Sequence, residues 1–152
     1  MQEKEQSQDV QKKTPKTIRE TLRAAIDWAK IRQADDGMWC GPLETNCCME
    51  AQWILAMAFI DFDDPKKPKV LQYILDRQRE DGSWDVYYGA EQGDINTTLE
   101  CYFALRVSGF DPDEPAMAKA RKWLVDNKWT ERIRVFTKYW LALFGEWPWA
   151  HT

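Results

Sequence analysis

Histidine is nearly absent from this 152-residue chain: His151 is the only one. A Ser-His-Asp relay cannot be assembled around it, and a Cys/His zinc site lacks its ligands. Glycine is sparse at seven residues, and none of them cluster into a loop that would cradle a phosphate. Positive charge is not in excess. Twenty-one Lys and Arg against 25 Asp and Glu leave a net charge of −4 and a pI near 5.1, which argues against nucleic acid as a partner. The four cysteines (Cys40, Cys47, Cys48 and Cys101) include no CxxC pair, and neighbouring Cys47 and Cys48 make a poor disulfide. With no signal peptide ahead of them, the expectation is reduced thiols in the cytoplasm. The longest apolar run, Trp53 to Ile60, has eight residues, against the roughly 20 a membrane-spanning helix needs. What remains implies no metal and no cofactor.

Tryptophan is what the chain has in excess. There are nine, several-fold above ordinary usage, and they recur at repeat positions. The stretch Leu71 to Trp84 is written twice, for Ile26 to Trp39 stands 45 residues earlier. Both copies carry an aliphatic residue, an aromatic two later, then Gln, Asp-Gly and a closing Trp: Gln33, Gly37 and Trp39 in one, Gln78, Gly82 and Trp84 in the other. A period of this length marks a supersecondary unit that stacks on copies of itself to bury its apolar face. Within each copy, helical spacing runs up to the Gln. The Gly suits the left-handed residue that ends a helix, and the Trp is expected to fold back as an apolar plug.

Residues 1–13 are polar and read as a disordered tail; the helical segment is expected over 14–150. Thr14-Pro15 is a helix start, and Ile18, Leu22, Ala25, Ile26 and Ala29 mark one face of an amphipathic helix to Gln33. A second helix, Cys47 to about Ile60, is capped by Asn46 or Thr45 and is apolar nearly all round. Asp64-Pro65 opens a third, to Gln78. Asp94 or Asn96 caps a fourth, which Gly109 stops. Both apolar helices carry a Glu (Glu50, Glu100) in the first turn or so, where the dipole favours an anion. A fifth helix begins near Asp113 to Pro115, and its turn, Asp126 to Trp129, has lost the Gln and the Gly. A sixth runs from Arg132 to Phe144. The pattern is all-α: six helices in three α/α hairpins, amphipathic ones alternating with apolar ones, as in two layers of a partial α/α toroid.

The Gln-x-x-x-Gly-x-Trp turns resemble the QW repeat of the triterpene cyclases. Further stretches are similar to the N-terminal part of squalene-hopene cyclase and its bacterial relatives: Trp39-Cys40-Gly41-Pro42-Leu43, Met49-Glu50-Ala51, Thr97-Thr98-Leu99-Glu100, and Arg134 through Trp149. The resemblance covers about Thr14 to Trp149. It implies the opening portion of the N-terminal barrel in a two-barrel enzyme that protonates a polyprene, squalene or similar, and closes rings through carbocations. In that family the acid lies in an Asp-x-Asp-Asp-Thr motif of the other barrel. The local Asp61-Phe62-Asp63-Asp64 reads as a turn instead, because a proton donor for an alkene needs a carboxylic acid buried at an apolar cavity.

No catalytic residue is therefore expected in this chain. By resemblance, Glu100, Arg134, Gln52 and Trp140 form a polar cluster near the cavity end where the final cation is quenched, with Gln52 standing where a further Glu is expected. Glu100 and Arg134 equally suit a buried bridge that only holds two hairpins in register. The resemblance implies an N-terminal cyclase segment, inactive alone, whose partners are the remaining cyclase portion or a second copy of itself. The alternative is a stand-alone helical module that binds a protein or a prenyl lipid without catalysis.

Overall fold

Every regular element is helical among residues 17–39, 46–87 and 89–152, which the computed structural model describes. They belong to two units, one within residues 1–42 and one within 43–152. The polar segment 1–13, the Thr14-Pro15 start and the Cys40 to Thr45 stretch lie outside the described residues.

In the first unit, α1 spans Ile18–Ile31 and is capped by Thr17, whose hydroxyl accepts the Glu20 N–H at 3.2 Å. A Thr-x-x-Glu pair thus caps α1. The second unit holds α2 (Cys48–Phe59), α3 (Lys67–Asp76), α4 (Ile95–Val107), α5 (Pro115–Asp126), α6 (Trp129–Arg132), α7 (Val135–Leu143) and a closing 3-10 turn, Trp149–His151.

Layering follows the apolar patterns. α3 buries little beyond Ile74 and packs on α2; α5 buries Met117, Ala120 and Leu124 and packs on α4. α4 lies at the centre, touching α2, α5, α6 and α7, and it buries nine of its 13 residues. That is why its sequence shows no polar stripe. Phe103 belongs to this core, edge-on to Phe144 with centroids 5.4 Å apart. Trp53, Met57 and Trp140 are half-buried. The exposed apolar residues are others, among them Phe59, Phe62, Phe136 and Tyr139.

Helix ends show which capping signals prevailed. Asn46 sits one residue before the α2 cap position and accepts the Cys48 N–H at 2.9 Å. Asp94, not Asn96, caps α4, taking the N–H groups of Asn96 and Thr97. With the cap at Asp94, Glu100 falls in the second turn, whereas Glu50 keeps its first-turn place. Asp64 Oδ1 accepts the Lys66 N–H at 2.7 Å in a turn ahead of α3. Gly109 and Gly145, both at positive φ, close α4 and α7.

The expected sixth helix is two helices. Ile133 adopts extended backbone and buries its side chain in the core, so the chain breaks between α6 and α7.

The two repeat turns match bond for bond. Gln33 Nε2 donates to the Gly37 carbonyl at 2.8 Å, and Gln78 Nε2 to that of Gly82 at 3.0 Å. Trp39 Nε1 donates to the Ala29 carbonyl and Trp84 Nε1 to that of Ile74, each at 2.7 Å and across ten residues. Asp36 and Asp81 each accept the N–H two residues on, at 3.0 Å. Gly37 and Gly82 have φ near +87° and +90°. Burial separates the copies: Trp84 is a sealed plug, while Trp39 is exposed. Arg79, within the second turn, is no free surface residue, since its guanidinium holds the carbonyls of Ala90 and Glu91.

The third turn is built otherwise. Asn127 Nδ2 bonds back to the Trp123 carbonyl at 2.9 Å, and Lys128 takes the left-handed conformation, φ +52°, without being glycine. That conformation costs a residue with a Cβ roughly 1–2 kcal/mol.

Gly82 tests the turn. A Cβ there would meet the Lys119 backbone at 2.6 Å, whereas at Gly37 the nearest atom is the Gln33 amide nitrogen at 3.8 Å. Both substitutions carry the positive-φ cost of on the order of 1–3 kcal/mol, and only one adds a backbone clash. Thermal unfolding is expected to show Gly82→Val lowering the midpoint more than Gly37→Val. Equal midpoints would rule out the close approach of the turn to α5.

Candidate functional site

One carboxylate stands at the centre of the second unit. Glu100, on α4, is 1% exposed, and three donors from different elements converge on it. Gln52 Nε2, from α2, reaches Oε2 at 2.8 Å. Arg134 Nη2, from the residue before α7, reaches Oε1 at 3.1 Å, and the Thr137 hydroxyl reaches the same oxygen at 2.5 Å. A buried charge with both oxygens engaged avoids most of the desolvation cost that an unpaired one would carry.

Three of the four expected cluster residues, Gln52, Glu100 and Arg134, are thus in direct contact. Trp140 sits three residues beyond Thr137 on α7 and packs half-buried against the apolar core.

The structure adds members whose roles were not evident. Asn96 Oδ1 accepts the Arg134 backbone N–H at 2.8 Å and the Thr137 hydroxyl at 3.3 Å. Arg134, the cap position of α7, has no side-chain cap of its own, so a residue 38 positions earlier supplies it. The Cys48 thiol donates to the Thr97 hydroxyl at 3.3 Å, and Arg134 Nη2 lies 3.5 Å from its sulfur. Thr97 in turn donates to Asp94, the α4 cap, at 3.0 Å. Thr97 and Thr137 both fall inside the specific stretches Thr97 to Glu100 and Arg134 to Trp149, and a polar residue kept in an otherwise apolar helix was the available signal.

Electrostatics follow from burial and from this carboxylate. Burial first, and the Glu100 charge second, push the Cys48 thiol up to about 12 from its ordinary 9.0. Burial also raises Cys101, whose sulfur donates to the Cys47 carbonyl at 3.7 Å. For Arg134, burial works against the charged form, but the Glu100 charge and hydrogen bond outweigh it and the guanidinium is held more firmly protonated.

Asp61-Phe62-Asp63-Asp64 does not join the site. Asp61, Phe62 and Asp63 are exposed, Asp61 takes the left-handed conformation at φ +53°, and Asp64 caps its turn. No helix among the described residues is long and apolar enough to cross a membrane.

A pH dependence follows from Cys48. The native thiol keeps its proton to about 12, whereas the unfolded thiol releases it near 9.0. Between those values the unfolded state binds fewer protons, so stability falls as pH rises. Below 9.0 the contribution is fully present and flat. Urea midpoints measured from neutral to strongly alkaline pH are expected to fall less steeply in Cys48→Ala than in the parent chain. An unchanged alkaline slope would show that the thiol is not the linked group.

Comparison with known proteins gives the geometry its context. The family model for the squalene-hopene cyclase N-terminal domain matches residues 22–152. The chain is 42% identical over 130 residues to a squalene–hopene cyclase of Alicyclobacillus acidocaldarius, covering 85% of this chain and 20% of that protein. It is 35% identical over 137 residues to a squalene-hopene cyclase of Schizosaccharomyces japonicus, covering 89% and 21%. It is 30% identical over 136 residues to a dammaradiene synthase of Dryopteris crassirhizoma, covering 89% and 20%. The chain spans about a fifth of the length of these relatives. With its paired Gln-Gly-Trp turns and a matched span of residues 22–152, the chain belongs to the squalene-hopene cyclase N-terminal domain family.

Proposed function

We propose that this chain serves as the N-terminal helical segment of a squalene-hopene-type cyclase, acting on squalene or a similar polyprene in triterpenoid or hopanoid synthesis. The observation that carries the reading is the buried Glu100 held by Gln52, Thr137 and Arg134. The inner helices α2 and α4 and the start of α7 present one hydrogen-bonded polar patch in an otherwise apolar layer. Such a patch suits the end of a hydrocarbon cavity where a carbocation is quenched. Gln52 spends one amide hydrogen on Glu100; its amide oxygen and second hydrogen are chemically suited to hold a water there. The proton donor is assigned outside this chain, because Asp61 to Asp64 form a solvent-facing turn. Free, buried Cys47, Cys48 and Cys101 favour a reducing, cytoplasmic setting.

The partner in this reading is the rest of the cyclase, or a second copy of the chain. α7 turns Phe136 and Tyr139 outward, their rings edge-on at 6.2 Å, with the Trp149 ring tilted at 32° and 6.3 Å from Tyr139. Grouped exposed rings of this kind tend to find partners. Light scattering coupled to gel filtration is expected to show self-association, or detergent binding that a Phe136→Ser/Tyr139→Ser variant reduces. A detergent-indifferent monomer would remove the case for such a contact.

Function is tested by exchange. The Alicyclobacillus acidocaldarius squalene–hopene cyclase with its matching fifth replaced by this chain is expected to cyclise squalene, and the isolated chain is expected to give none. A folded chimera that makes no cyclised triterpene would overturn the reading and leave a stand-alone helical module. Product from the isolated chain would place the acid within it.

A further inference from the structure

The third turn departs from the two before it, and a cavity opens beside it. In the second turn Trp84 is sealed in the core, bonded back to its own helix. In the third, left-handed Lys128 delivers Trp129 to the start of α6. There its ring is half-buried and tilted against Trp147 with centroids 6.2 Å apart. Between α4, α5, α6 and α7 lies a cavity of about 230 Å³, with Leu99, Leu124 and Leu141 as its apolar floor and Trp129 along one side.

Two guanidiniums line the same cavity, Arg106 from α4 and Arg121 from α5. Arg106 is bonded to Glu146 at 3.3 Å, and Arg121 to Asp113 at 3.2 Å. Asp113 is 85% exposed, and an exposed pair of this kind gives way to a competing anion at little cost. Each guanidinium has five N–H donors, so one carboxylate oxygen does not saturate it. Within the lining, two positive charges stand against the single carboxylate of Glu146.

Size narrows the ligand. A dry apolar cavity of about 150 Å³ accepts benzene, and drug-sized ligands fill about 300–1,000 Å³. By proportion to the benzene case, this cavity takes an apolar body of roughly nine or ten carbons.

We propose that this cavity is a binding site for a small amphipathic anion, its hydrocarbon body on the leucine floor and its carboxylate or phosphate head on Arg106 and Arg121. The site lies apart from Glu100 and does not depend on the cyclase reading.

Calorimetric titration of the whole 152-residue chain with 1-naphthoate, with 1-naphthyl phosphate and with uncharged 1-naphthamide tests the proposal. At least one anion is expected to bind saturably, with the amide about tenfold weaker, the worth of one charged hydrogen bond. The tighter of the two anions identifies the head group. Arg121→Ala and Arg121→Gln are each expected to weaken the anion about tenfold while leaving the circular dichroism spectrum unchanged. Absence of saturable binding by both anions, equal binding of the amide, or equal affinity in folded Arg121 variants would overturn the assignment.

Discussion

The second unit depends on how Trp84 is held. Its indole is bonded to α3 through the Ile74 carbonyl, its backbone N–H to Thr98 on α4 at 2.9 Å, and its carbonyl to the Asp94 N–H at 2.8 Å. Gln78, in the same turn, donates to the Ala116 carbonyl of α5 at 2.9 Å, and Gly82 lies against the Lys119 backbone. One short turn therefore ties three helices. Burial of the large ring supplies the driving force, and the hydrogen bonds fix the direction. Because Asp94 and Thr98 belong to the first turn of α4, this clamp sets the register of the central helix.

From that register the site follows. Asp94 in place orders Thr97, and Thr97 receives Cys48 from α2. Asn96 then caps α7 from a distance, and Glu100, one turn on, collects Gln52, Arg134 and Thr137. Removing one partner from a buried charge of this sort costs about 3–5 kcal/mol in typical cases. The cluster thus holds α2, α4 and α7 together while presenting a polar patch in an apolar layer. A register bridge and the proposed cavity-end polar cluster are compatible readings of one arrangement, since both need these helices held in one register.

Repetition and departure from it divide the labour along the chain. Where Gln, Gly and Trp are kept, the turn is closed by its own side chains. Where Asn127 and Lys128 replace them, the turn closes through a left-handed lysine and leaves space between α4 and α5. The cost of placing a non-glycine residue at positive φ is local, and the surrounding helices hold it.

The periodicity of the sequence was enough to establish the helices of the described residues and their Gln-Gly-Trp turns, because apolar spacing and turn residues are local properties. Gly82 at positive φ, Trp84 folding back and Pro115 opening α5 were all legible, each resting on residues within ten positions of one another. The family resemblance, not the periodicity, singled out Gln52, Glu100 and Arg134. Only the tertiary structure decided what lies across longer separations. Asn96 looked like a cap for its own helix and proved to cap α7, 38 residues on; Ile133 split one expected helix in two; Thr137 and Cys48 joined the carboxylate. The reason is physical. A helix or turn is specified by neighbours whose geometry the chain itself fixes, whereas a buried polar cluster is specified by which helices pack together, and that is settled by the core as a whole.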